Sequence, residues 1–279
     1  MSSEILYKYF DFDGGIKSLQ NLSLRYRRPN EFNDPFEFMP GGYSGDSQEE
    51  RKRRALAILC SNPIYKDLYN SKHKTNFSQS EWNGLIKNND PRVHNFTSQE
   101  FTNDIFNKLQ QRDWSNFRDN ASERVVFCSF SKKNNDILMW SHYTNEHRGI
   151  VIGFDSSHFD RLHKVSYNPQ RVLVPLSSTV DQNTLKKSIE EIMTTKSPQW
   201  QYEDEWRRII SSDEVEKKGN LLLQKFPIES VLTVILGYRI SKEQKQQLKT
   251  VLSQYPNFPK LKQVKLHQRD FSLEIKDCQ

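Results

Sequence analysis

Apolar and polar positions alternate in Leu6-Tyr7-Lys8-Tyr9-Phe10, which predicts a first strand. Gly14-Gly15 is expected to break it. Ile16, Leu19 and Leu22 then repeat at helical spacing, and Leu24-Arg25-Tyr26 reads as a second short strand. The branched and aromatic run over 125–128 suits a buried strand. Polar residues follow at 132–136, where Asn135 or Asp136 can cap a helix carrying Met139, Trp140 and Tyr143 on one face. Arg148-Gly149 ends that helix, and residues 149–154 read as another strand. Beyond it, residues 164–167 and 171–174 read as strands parted by Asn168-Pro169, and residues 185–193 as a helix with Ile189, Ile192 and Met193 inward. A continuous apolar run over 231–236 predicts a buried strand, Ser241-Lys242-Glu243-Gln244 caps a last helix, and residues 271–275 form a final strand.

Residues 40–122 break this rhythm. Ser47-Gln48-Glu49-Glu50, Ser78-Gln79-Ser80-Glu81 and Thr97-Ser98-Gln99-Glu100 each fit a capping box ahead of apolar residues, so the stretch reads as a helical insertion. Strand-rich ends with interleaved helices place the chain in the α+β class, as a single domain over 1–279 with the insertion inside it. The core is expected to be a mixed, mostly antiparallel sheet.

With 35% hydrophobic and 27% charged residues among 279, a sizeable core is available and the surface is wet. No apolar run reaches the ~18 residues of a membrane span, and the first residues lack a secretory pattern, so a cytoplasmic protein without a membrane partner is expected. Cys60, Cys128 and Cys278 have no paired spacing, which argues against a disulfide framework or a zinc knuckle. The net charge of +6 favours a polyanionic partner.

Glu203, Glu205 and Arg207 carry the strongest chemical signal. Alternation along a strand puts all three on one side, where neighbouring carboxylates raise each other's pKa and an arginine can hold one of them. An exposed face laced with ion pairs is the alternative, and Trp200, Tyr202 and Trp206 argue against it. The loop from Arg27 to Glu37 holds two prolines, two aromatics (Phe32 and Phe36) and the polar groups Asn33, Asp34 and Glu37, a composition suited to binding. Ser129, Ser131 and His142 stand at the joints of the central strands and helix, at the wall and rim of a candidate pocket. His142 and His147 lie five apart, not four, and no third ligand is visible, so no metal site is expected. Neither a GxSxG elbow, nor a GxxxxGK[ST] loop, nor a GxGxxG turn occurs.

Four motifs fall in order: Leu6-Tyr7-Lys8-Tyr9, Phe32-Asn33-Asp34-Pro35-Phe36-Glu37, Met139-Trp140-Ser141-His142-Tyr143 through His147-Arg148-Gly149, and Trp200-Gln201-Tyr202-Glu203-Asp204-Glu205-Trp206-Arg207. Together they resemble the bacterial domain-of-unknown-function 2971 family, over nearly all the chain except 40–122. A second resemblance is to NAD-dependent ADP-ribosyltransferases, especially DarT-type toxins that modify nucleic acid, whose sheet is split. That resemblance implies a glycosyl-transferring enzyme with NAD as substrate. Glu205 would stabilise an oxocarbenium-like ribose, with Glu203 beside it, and Tyr143 or Trp140 would stack on a ring. Asn33 and Asp34 would hold ribose hydroxyls, and Arg207 the pyrophosphate or Glu203. Lys8 or Tyr9 would take the early-strand place, where Tyr7-Lys8-Tyr9 replaces the usual His or Arg, and Ser129 with Tyr143 the middle-strand place. Phe36, Ser131 and His142 complete the candidate cofactor-binding set. The implied partners are a nucleic-acid or protein acceptor and an antitoxin or sensor protein, as for a toxin or phage-defence effector. Alternatives are a non-catalytic nucleic-acid or protein-binding module and a metal-dependent nuclease using Asp34, Glu37, Glu203 and Glu205.

Overall fold

A computed structural model describes residues 4–44, 63–88, 90–93, 118–175 and 182–278. Chain contacts divide it into two compact units. One comprises Met1–Phe38, Arg118–Arg171 and Met193–Gln279, the other Met39–Phe117 and Val172–Ile192. The second thus overlaps the stretch 40–122 and adds a segment that sequence does not distinguish.

The described elements run in order β1 (Ile5–Phe10), α1 (Phe12–Asn21), β2 (Ser23–Tyr26), β3 (Gly42–Ser44), α2 (Pro63–His73) and α3 (Gln79–Lys87). They continue with β4 (Val125–Ser131), α4 (Ile137–Tyr143), β5 (Ile150–Asp155), β6 (Leu162–Lys164), β7 (Ser166–Tyr167), β8 (Leu173–Pro175), α5 (Gln182–Thr194), β9 (Thr195–Lys196) and β10 (Glu205–Ser211). The chain closes with β11 (Glu216–Lys218), β12 (Leu221–Lys225), β13 (Val231–Leu236), α6 (Lys242–Leu252), β14 (Lys260–Leu266) and β15 (Leu273–Asp277). The class is α+β.

The first unit is built on an eight-stranded sheet ordered β15-β14-β13-β5-β1-β4-β10-β6, antiparallel except where β13 runs parallel to β14. Its larger core joins Leu6, Cys128, Phe130, Ile152 and Phe154 on one sheet face to Phe12, Ile16 and Leu19 of α1 and Leu248 and Leu252 of α6. A three-stranded sheet, β11-β12-β2, adds Leu24, Tyr26 and Leu222 to that core. On the opposite face Trp140 of α4 packs with Val151, Ile235, Val264 and Leu273. The second unit holds the parallel pair β3-β8 and a cluster of Tyr69, Trp82 and Val93.

Local chemistry explains several boundaries. Asp136 caps α4 by accepting from the amides of Leu138 and Met139. The boxes at Ser78 and Ser241 both close, each through a reciprocal bond with the residue three further on. The boxes expected at Ser47 and Thr97 lie outside the described residues.

Gly14-Gly15 does not break the chain between strand and helix. Both glycines sit in the first turns of α1, whose cap is Asp11, accepting from the Gly14 amide at 2.6 Å. A Cβ at Gly15 would lie 2.5 Å from the Ile150 side chain, so glycine is there to let α1 press against β5.

Candidate active site: a carboxylate cluster beside a short strand pairing

Strand β1 pairs with β5 over six residues, and β10 with β4 over seven, yet β1 and β4 share a single register pair, Tyr7 opposite Ser131. Past that pair the connection is made by side chain: Lys8 Nζ donates to the Ser129 carbonyl at 2.8 Å. A cavity of about 710 Å³ is lined from both strands, from α1, and from Met139, Tyr143, Lys196, Glu203 and Glu205. Its size lies within the range of small-molecule sites.

One end of the cavity is acidic and built from buried charge. Glu205 and Arg207 alternate along β10 and face Ser131 and Ser129 of β4. Arg207 is fully buried. Its Nε and one terminal nitrogen hold Glu205 at 2.8 and 2.9 Å, that same terminal nitrogen also donates to Glu37, and its other terminal nitrogen donates to the Met193 carbonyl at 2.8 Å. Lys196 of β9 enters between the acids, 2.7 Å from Glu203, 3.3 Å from Glu205 and 4.0 Å from Glu37. Tyr143 donates to Glu203 Oε1 at 2.6 Å. Three carboxylates therefore share two cations, an arrangement stable only because nearly every oxygen has a donor.

Glu203 is reached in a way that strand alternation does not describe. It ends a 3-10 turn, Pro198–Glu203, and Asp204 follows in the left-handed region at φ 41° before β10 begins. The expectation that Glu203, Glu205 and Arg207 share one strand face is thus corrected: the turn, not the pleat, aims Glu203 inward. Ser131 fixes the turn, its hydroxyl donating to the Glu203 carbonyl at 2.5 Å and accepting from the Lys133 amide at 2.9 Å.

The environment drives the two late carboxylates apart. Burial, with the Glu205 charge beside it, raises Glu203 above the usual carboxylate range, although Lys196 and the Tyr143 hydroxyl oppose the rise. Burial acts on Glu205 in the same direction, but Arg207 and Lys196 outweigh it and bring its pKa down to about 2. Glu37 is raised by burial, against the pull of Arg207 and Lys196. Burial and the Glu203 charge hold the Tyr143 phenol well above its ordinary value. A pair of carboxylates pushed apart in this way is the arrangement from which acid–base roles follow.

The other candidate residues divide. Tyr7, Lys8, Tyr9, Asn33, Ser129 and Ser131 line the cavity. Of these Tyr9 is engaged locally, its hydroxyl donating to the Lys133 carbonyl at 2.9 Å and its ring edge-on to Trp140. Trp140 cannot stack on a ligand: it is completely buried in the smaller core, and its indole N–H donates to the Asn134 carbonyl at 2.7 Å. Asp34 is also buried, spending its carboxylate on the Phe36 amide, so the ribose contact expected of it is corrected to a turn-forming role. Phe36 is 62% exposed and lies against Arg171, away from the cavity lining. His142 is exposed and within 3.2 Å of the Tyr202 hydroxyl, a rim position outside the lining. Arg207 faces inward on Glu205 and Glu37, leaving nothing for a pyrophosphate or for Glu203.

Sequence reasoning missed Lys196, the partner Glu203 does have. It lies in a two-residue strand paired with β7, outside any motif, and only tertiary contacts select it. Also missed was the far wall, where Lys17 of α1, Arg25 of β2, Arg27 and Lys218 of β11 line the cavity with Leu221 and Leu223. These cations outnumber Asp11 and Asp13 on the same wall.

The Glu203–Tyr143–Lys196 constellation falls within one recognisable segment. Residues 139–208, about a quarter of the chain, match a family described as "Protein of unknown function (DUF2971)". Over that segment the chain is similar to the DUF2971 family. The matched segment supplies Tyr143, Lys196, Glu203, Glu205 and Arg207, whereas Glu37 and Lys8 come from outside it. No curated protein and no solved structure matches the chain. Among the described residues no group of three or more His, Cys, Asp or Glu is disposed to hold a metal ion, and no helix is long and apolar enough to cross a membrane.

Proposed function

We propose that the cavity takes NAD as substrate and that the protein is an ADP-ribosyltransferase-like enzyme acting on a nucleic-acid or protein acceptor. The observation that carries this reading is Glu203, a buried carboxylate raised in pKa, at the acidic end of a 710 Å³ cleft whose other wall is cationic. Both Glu203 oxygens have one partner each, Tyr143 and Lys196, and a carboxylate oxygen can accept more than one hydrogen bond. Glu205 has its oxygens engaged by Arg207 and Lys196, which suits it to holding Glu203's surroundings in place instead of meeting the substrate. The catalytic role the resemblance implies for Glu205 is therefore transferred to Glu203.

In the proposed step the bond from the ribose carbon to nicotinamide breaks, and its electron pair leaves with neutral nicotinamide. The oxocarbenium-like carbon is stabilised by the nearby carboxylate charge and captured by a lone pair on an acceptor oxygen or nitrogen. The acceptor's proton passes to Glu203, whose raised pKa makes it a better base than an ordinary carboxylate, and then to solvent. With water as acceptor the products are ADP-ribose, nicotinamide and a proton. Lys8 and the cationic wall favour the anionic diphosphate or an anionic acceptor. An activity of this kind suits a toxin or phage-defence effector restrained by an antitoxin or sensor protein.

The test is nicotinamide release from NAD by the purified chain in the presence of chelator. Release that depends on Glu203 supports the reading. An inert chain that binds oligonucleotide in a salt-sensitive way supports the non-catalytic binding module instead, a reading favoured by Lys17, Arg25, Arg27 and Lys218.

A further inference from the structure

Strand β15 stands at the edge of the large sheet, with β14 on one side and no strand on the other among the described residues. An open edge is a template for pairing, and proteins that leave one exposed either guard it or use it. Here the pattern of side chains favours use. Leu273 and Ile275 belong to the smaller core, one buried and one half-buried at its margin, while Glu274 and Lys276 point to the opposite face and pair with each other at 2.6 Å. Beside the strand, Leu266 is 52% exposed and Phe271, in the hairpin before β15, is fully exposed.

We infer that β15 pairs antiparallel with β15 of a second copy, about a two-fold axis at Ile275, to form one continuous sheet. Such an axis, perpendicular to the sheet, keeps each side chain on its own face, so only registers centred on a residue are available. Centring on Glu274 sets two glutamates opposite each other, and centring on Lys276 sets two lysines opposite. Centring on Ile275 sets Glu274 against the partner's Lys276 twice, and Ile275 against its own twin. Within Leu273–Asp277 this register alone pairs opposite charges, while on the apolar face Leu273 falls opposite the partner's Asp277. The two Glu274–Lys276 pairs then form a ring of four alternating charges. The pairing is independent of NAD chemistry.

The test is the mass in solution of the full chain by light scattering across a concentration series. A monomer is 33.1 kDa, and the wild type is expected near twice that mass. K276E would bring acidic groups opposite Glu274 and is expected to shift the mass to the monomer. The exchange E274K/K276E restores opposite charges in the same register and is expected to restore the dimer. A second reading is amide exchange over residues 273–277, expected to slow as concentration rises. A monomeric wild type overturns the inference, as does a dimer indifferent to K276E or a folded exchange variant that stays monomeric.

Discussion

The Tyr143 hydroxyl lies 2.6 Å from Glu203 Oε1, joining helix α4 to the turn before β10 across 60 residues of sequence. The bond favours the ionised carboxylate, and it is one of two contacts, with Lys196, that hold Glu203 against the rise caused by burial.

Tyr143→Phe should therefore raise the Glu203 pKa further. If ionised Glu203 is the base, the acidic limb of the pH–rate profile for nicotinamide release moves to higher pH. The rate on the plateau should fall by roughly tenfold, the order expected when one hydrogen bond worth about 1.4 kcal/mol to the transition state is lost. A steady-state pH profile of the variant checks both.

Arg207 ties Glu205 and Glu37 together, and all three side chains are buried. Arg207→Met leaves both acids buried against Lys196 alone, and breaking a buried pair in this manner costs about 3–5 kcal/mol. Urea denaturation monitored by circular dichroism should show that loss. Adding Glu37→Gln to the Arg207→Met variant should recover part of it, because one stranded charge is removed.

The pH dependence of stability follows from Glu205. Its folded pKa, about 2, is below the ordinary 4.5, so the folded state binds fewer protons at this site than the unfolded chain does. The stabilisation is present above the unfolded value and is lost as pH falls from about 4.5 towards about 2. Comparing wild type with Glu205→Gln, the wild-type advantage should be full at neutral pH and shrink across that window. Glu203 and Glu37 are raised and act with the opposite sign: their contribution is greatest when protonated and declines as pH rises through their folded values.

Where structure follows from neighbours in the chain, the sequence discloses it. The Asp136 cap, the Ser78 and Ser241 boxes and the buried strand at Val231–Leu236 all depend on side chains within a few residues. The late acidic motif is partly legible: its burial is signalled by the flanking aromatics, but the left-handed Asp204 that re-aims Glu203 is not, since neither glycine nor asparagine marks it. Trp140 reads equally as platform or core, because helical periodicity gives the face and not what covers it. The Lys196 contact and the cationic wall depend on segments far apart in the chain, and no spacing rule reaches them.

Gly15 is a case in which the packing reason appears only in three dimensions. Gly15→Ala should destabilise the fold by about 1–3 kcal/mol, the usual result of forcing atoms into a filled core, despite alanine's better helix propensity. Thermal unfolding of the variant checks the sign, and a stabilised variant would show that α1 moves freely over β5.

Glu203→Gln bears on the central claim most directly, because it keeps the size of the side chain while removing its charge and its capacity as a base. NAD binding by calorimetry and nicotinamide release should be measured on wild type and variant together. The account predicts NAD binding by both proteins, with release by the variant reduced on the order of 10²–10⁴-fold. Release undiminished in the variant, or a wild type that neither binds nor consumes NAD, would contradict it.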